Sequence, residues 1–196
     1  MTEKEGLRTI QLGFASAALD DEVVLEGVRG HEELSRLYEY ELLLRTQEGP
    51  LSSSQIDDLL DEPCVIALGD RAGDLVHGLL AEIETIDAPR QGGARYRARL
   101  VPHMALLSQG SNSAVYQETS VPDMVRSILT EHGFQDGTHF DVRVAQQAKS
   151  PVREYLVQYQ ESNWDFIQRW LEHEGFFYWF NHHKDGAELV IADAND

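Results

Sequence analysis

From Ile10 to Leu107 the chain runs in short apolar stretches separated by turn residues, a pattern that predicts an antiparallel β unit. Asp20 and Asp21 lead into Val23-Val24-Leu25, and Gly30-His31-Glu32-Glu33 separates that run from residues 37–44. There Tyr38, Tyr40 and Leu42 alternate with Glu39 and Glu41, so one face should be core and the other solvent. Further strands are expected over 65–68, 75–86 and 96–101. Pro89 to Gly93 joins the last two, with Gly92-Gly93 supplying the positive φ of a hairpin. One helix interrupts the pattern. Ser53 or Ser54 can cap it, Asp57 and Asp58 fall in its first turn, Pro63 follows its end, and Ile56, Leu59 and Leu60 form its apolar face.

Beyond Pro102 the pattern changes. Residues 103–107 read as a helical turn and 110–113 as a loop, which divides the chain into 1–103 and 104–196. Two helices follow. Ser120 opens the first, with Pro122 and Asp123 in its first turn; Val121, Val125, Ile128 and Leu129 share a face, and Gly133 ends it. Ser162 and Asp165 open the second, Gly175 closes it, and Phe166, Ile167, Trp170 and Leu171 make its stripe. The flanking strands of the two helices do not correspond, so they are separate uses of one capping pattern rather than a repeat. Strands are expected over 140–144, 155–159, 176–180 and 189–192, with Asp185-Gly186 turning between the last two. The consecutive aromatics Phe176, Phe177, Tyr178, Trp179 and Phe180 must point to both faces of their strand. Either the preceding helix and its own domain cover both faces, or another subunit does.

Charge narrows the functions available. With 34 Asp and Glu against 16 Lys and Arg, the net charge is −18. Nucleic acid and anionic membranes are held by Lys/Arg-rich surfaces, so neither is an expected partner. Composition is that of a folding chain, with 42% hydrophobic residues. The single cysteine, Cys64, excludes an internal disulfide and suits a reducing compartment. Residues 1–6 lack the apolar core of a secretory signal, and no stretch approaches the roughly 20 apolar residues of a membrane span. Cytoplasmic assembly is expected, with any export by another route.

Catalytic chemistry finds no support. Carboxylates are so abundant that chance pairs carry no information; Asp57, Asp58, Asp61 and Glu62 read as a solvated helix face and its flank. His173, His182 and His183 cluster in sequence, but His173 suits a helix C-terminus, as does His132, and the other two fall in an expected hairpin loop. No metal or cofactor is expected. Gly-x-Ser-x-Gly, phosphate-loop and dinucleotide fingerprints are absent, and Gly69-Asp70-Arg71-Ala72-Gly73 reads as a β-turn. No catalytic residue is assigned.

Residues 155–180, Tyr-Leu-Val-Gln-Tyr-Gln-Glu-Ser-Asn-Trp-Asp-Phe-Ile-Gln-Arg-Trp-Leu-Glu-His-Glu-Gly-Phe-Phe-Tyr-Trp-Phe, resemble the signature of the VgrG spike proteins of type VI secretion systems. Its motif positions are Tyr155, Gln158, Tyr159, Glu161, Ser162, Phe166, Trp170, Leu171, Glu174, Gly175, Tyr178 and Phe180. Gly30, Leu34, Ser35, Tyr38 and Tyr40 are similar to an early segment of that family, Gly78 to a central strand glycine, and Pro102 to the end of its first barrel. Asn163 stands where the family more often has Asp. The resemblance implies an α+β, mainly β fold: an antiparallel β-barrel of the phage baseplate hub type over 1–103, then an α+β segment with two amphipathic helices over 104–196, leading towards a second barrel expected to be truncated or absent. It implies a structural part of a contractile injection machine that trimerises, docks on the tube protein Hcp and carries effectors or adaptors, with export by that apparatus. A phage baseplate hub is the alternative, and a small hydrolase a reading from another class.

Overall fold

A computed structural model describes residues 12–16, 23–69, 74–89, 91–144 and 150–194. The N-terminal residues 1–6, the Asp20-Asp21 pair and residues 70–73 of the expected turn lie outside these. The fold is mainly β, and its residues cluster into two compact units, one comprising residues 1–29 and 41–100, the other Gly30–Tyr40 with Val101–Asp196.

The six-stranded sheet contains β1 (Gly13–Ser16), β2 (Val23–His31), β3 (Glu39–Thr46), β4 (Cys64–Ala67), β5 (Leu75–Asp87) and β6 (Arg95–Val101), in the order β1-β4-β5-β6-β3-β2. Among the described residues β1 and β2 are its end strands. The alternation read from β3 holds, since Tyr40, Leu42 and Leu44 are buried while Glu39 and Glu41 are exposed. Strand β2 runs on through Gly30 to His31, further than its apolar start suggested. The core of the first unit gathers Leu25, Leu42, Leu44, Leu59, Ile66, Leu80, Tyr96 and Leu100. Each such buried side chain contributes about 1.5 to 3 kcal/mol by leaving water. Gly92 takes the expected positive φ of 90°. Gly93 answers a different need, because a Cβ there would lie 1.7 Å from the Thr46 carbonyl oxygen.

Helix α1 (Ser53–Asp61) is capped by Ser52, not by Ser53 or Ser54. Gln55 decides among the three serines: its backbone N–H donates to Ser52 Oγ while its side chain accepts from the Ser52 N–H at 2.9 Å. Asp57 and Asp58 therefore fall beyond the first turn; they are exposed, as is Glu62, and the Asp61 side chain lies outside the described set. Leu59 is buried, whereas Ile56 and Leu60 are only half-buried.

In the second unit a six-residue 3-10 helix, His103–Ser108, follows Pro102. It leads into β7 (Asn112–Thr119), α2 (Val121–Glu131), β8 (Phe140–Arg143), β9 (Arg153–Glu161), α3 (Asn163–Glu174), β10 (Phe177–His182) and β11 (Ala187–Ala192). Ser120 and Ser162 cap their helices through the N–H of Asp123 and Asp165. Both helices end in a left-handed glycine with paired return bonds: Gly133 to Thr130 and Phe134 to Leu129, Gly175 to Glu172 and Phe176 to Leu171. The strands form a three-stranded sheet, β10-β11-β8, and a two-stranded ribbon, β7-β9. Strand β11 pairs antiparallel with β10 but parallel with β8, a crossover that turn signals do not encode. One core joins these parts, with Val125, Ile128 and Leu129 of α2, Phe166, Ile167 and Leu171 of α3, and Phe140, Leu156, Tyr178 and Ile191 from the strands.

Candidate functional site

Two polar arrangements fix the 153–180 segment. At its start the Arg153 guanidinium holds Glu174 through two bonds, Nε at 3.1 Å, with the glutamate side chain almost wholly buried. Arg153 also lies over the Trp170 ring, 5.2 Å from its centroid, and Arg169 approaches the same ring at 5.6 Å. At the strand-to-helix corner buried Gln158 donates to the Glu161 carbonyl at 3.1 Å and to Asn163 Oδ1 at 2.9 Å. Asn163 Nδ2 in turn donates to His132 Nε2 at 2.9 Å, which places the His132 proton on Nδ1, 2.8 Å from the Ile128 carbonyl. His132 thus satisfies the end of α2. The Asn163 amide provides both the acceptor for Gln158 and the donor for the His132 ring at this corner.

The aromatic residues divide between two faces. Phe176 and Tyr178 are buried, and Phe180 packs half-buried against the same core; Phe177 and Trp179 stack on each other at 5.9 Å, half-buried. Phe166 and Leu171 are fully in the core. Trp170 is only half-buried, and His173 meets its edge at 5.2 Å. Tyr155 and Tyr159 do not enter the core and stand exposed on β9. Glu161 is tied to Arg169 at 2.6 Å, and that bond holds its carboxyl below the usual range.

Residues 30–40, some 140 positions away in sequence, assemble on β10. The Ser35 N–H donates to the Tyr178 carbonyl at 2.7 Å, and Tyr38 is buried against Phe180 at 4.9 Å and His182 at 5.2 Å. Gly30 is required by proximity, because a Cβ there would sit 2.1 Å from Tyr40 Cδ1. That ring position lets the Tyr40 hydroxyl donate to Glu32 Oε1 at 2.7 Å, and His182 Nε2 reaches the same oxygen at 2.8 Å. Burial works to raise the Glu32 carboxyl, but the His182 and Tyr40 hydrogen bonds outweigh it and leave it lowered. Burial, then Glu32, push the Tyr40 hydroxyl well up. Leu34 is exposed. Elsewhere, Gly78 is buried opposite Cys64, and Pro102 accepts the Ala105 N–H to start the 3-10 helix.

Two participants escaped sequence reasoning. Glu32 reads as a turn residue. His182 reads as loop, yet β10 extends to pair it with Ala187, leaving His183 to Gly186 as the turn. No spacing rule links positions 32 and 182. Among the described residues no group of three or more His, Cys, Asp and Glu converges as metal ligands would. Burial pushes the Cys64 thiol up to about 12, so it is no nucleophile at neutral pH. The arrangement holds segments together through one carboxylate, two tyrosines and an imidazole.

The phage tail baseplate hub (GPD) family profile matches residues 31–196, and the chain belongs to that family. Among curated proteins, it is 37% identical over 171 residues to the type VI secretion system spike protein VgrG4b of Pseudomonas aeruginosa, covering 84% of this chain and 19% of that one. It is 34% identical over 178 residues to VgrG1a of the same organism, covering 89% and 26%. The chain therefore spans about a fifth to a quarter of the relatives it matches. Among solved structures, an Escherichia coli protein described as a type VI secretion system component with structural similarity to T4 phage tail proteins shares the fold, with a TM-score of 0.83, 24% identity, and coverage of 92% of this chain and 49% of that one.

Proposed function

We propose that the chain is the hub portion of a type VI secretion spike, a structural part that acts through protein contacts and not as an enzyme. Similarity to VgrG spike proteins over most of the chain carries this reading. Residues 1–103 supply the first hub-type barrel and 104–196 the α+β insertion with its two amphipathic helices. The hub trimerises, docks on the Hcp tube and helps deliver effectors or adaptors, assembling in the cytoplasm before export by the apparatus. The matching motif residues then act as scaffold: Gly30, Ser35, Tyr38 and Tyr40 hold the early segment, and Gln158, Glu161, Ser162, Glu174 and Gly175 fix the signature helix. Light scattering of the purified chain, alone and with Hcp, tests the reading. A trimer that binds Hcp supports it, and a monomer that ignores Hcp at high concentration overturns it. The match to a phage tail baseplate hub family supports a second reading, a phage baseplate hub; neighbouring tail-fibre genes would favour it, and Hcp and sheath genes the first.

A further inference from the structure

The β7–β9 ribbon has two outer edges, and they are treated differently. Arg169 Nη2 donates to the Val157 carbonyl at 3.0 Å, and Glu161, held by the same guanidinium, accepts the Tyr159 N–H. The β9 edge is thus plugged by an ion pair, a common way of preventing strand addition. Because Arg169 reaches Val157 from outside, the Val115–Val157 pair is one whose backbone groups point away from the shared ladder. By alternation the same holds for Ser113–Tyr159 and Gln117–Tyr155. On β7 the Ser113 N–H is taken by Asn112 Oδ1 at 2.8 Å. Among the described residues, the outward N–H and C=O groups of Val115 and Gln117 meet no partner.

The side chains on this face match the open edge. Val115 is 57% exposed, Tyr155 53%, Val157 48% and Tyr159 70%, beside Ser113 and Gln117, and none of the six is charged. Left-handed residues stand at both ends, Glu118 at φ 47° and Gln160 at φ 49°, and the register shifts at the Gln160 end, between Asn112 and Ser113, so the flat stretch is 113–117 opposite 155–159. Exposed Glu118, Glu131 and Glu154 lie on the elements around it, while Arg126, Arg153 and Arg169 are committed to Asp123, Glu174 and Glu161.

We infer that the outer edge of β7 is a docking site for an extended segment of a partner protein, which adds as a third strand along Ser113, Val115 and Gln117 and carries apolar side chains at alternate positions and basic ones at its ends. The open hydrogen-bonding groups select a strand, the apolar face selects alternate side chains, and the uncompensated glutamates select the basic flanks. The inference stands apart from trimerisation and from Hcp binding.

The test uses a peptide of about nine residues, alternating valine and threonine with a lysine at each end. It is titrated into the isotopically labelled chain while amide hydrogen exchange is followed by NMR. Slowed exchange at Val115 and Gln117 is expected, with no such effect from the same peptide N-methylated along one edge. Val115→Pro removes one outward N–H without touching the β7–β9 ladder and should weaken binding at least about tenfold. The N-methylated peptide keeps the test valid if that variant fails to fold. Absence of protection, protection along β9 instead, or equal binding of a glutamate-flanked peptide overturns the proposal. Protection that rises with protein concentration without peptide assigns the edge to a second copy and also overturns it.

Discussion

Gly30 and Glu32 show how single residues tie distant segments together. Without a side chain at Gly30 the Tyr40 ring can lie against the backbone, and from there its hydroxyl reaches Glu32. The Glu32 carboxyl is held below its ordinary 4.5, since the bonds from His182 and Tyr40 outweigh its burial. A carboxylate whose folded pKa is depressed contributes stability present above its unfolded value and lost as pH falls through the folded one. Urea unfolding at about pH 6 and about pH 3.5 should show a larger acid loss for the native chain than for Glu32→Gln. Equal losses would mean that the cluster does not contribute to folding. None of this was legible from residues 30–33, because the partner at 182 is fixed only when β10 pairs with β11.

Among the elements, α3 carries the clearest local signals and the least local consequences. Its cap was readable because Ser162 and Asp165 interact within one turn, and Ser162→Ala should cost about 1 kcal/mol in thermal denaturation. No change would show that the cap contributes nothing. Trp170 lies on the same helix, but its burial depends on β9 through Arg153. Fully buried Trp→Ala changes cost roughly 3 to 5 kcal/mol; this half-buried ring should cost about 2 to 3. Unchanged melting with lost oligomerisation would make the ring an interface instead. Helix α1 marks the limit of local reading: Ser53 or Ser54 is the expected cap, and the reciprocal bond with Gln55 places the cap at Ser52 instead.

At the scale of the molecule, the net charge of −18 meets several arginines that already hold acids. Glu26 binds Arg45 and Arg95, Arg97 binds Glu41 and Glu84, and Arg99 lies near Glu82, all on the surface of the first unit. Such exposed pairs contribute little stability each, and with 34 acids against 16 bases they cannot neutralise the surplus acids. If those acids face basic surfaces of other subunits, complex formation should weaken as salt rises from about 0.05 to 0.5 M, because exposed charge contacts are screened. Light scattering across that range is the measurement. Salt-independent assembly would leave solubility as the role of the charge.

The sequence by itself determined what is local: strand alternation at Tyr38, Tyr40 and Leu42, the serine caps of α2 and α3, the glycine stops, and the signature that resembles a spike protein. These follow from interactions within a few residues, where propensity and hydrogen-bonding chemistry act directly. The tertiary structure decided what depends on long-range closure: the parallel pairing of β8 with β11, the docking of residues 30–40 on β10, and the plugged and open edges of the β7–β9 ribbon. Those contacts join residues far apart in the chain, and no periodicity specifies them before the core has chosen which surfaces meet.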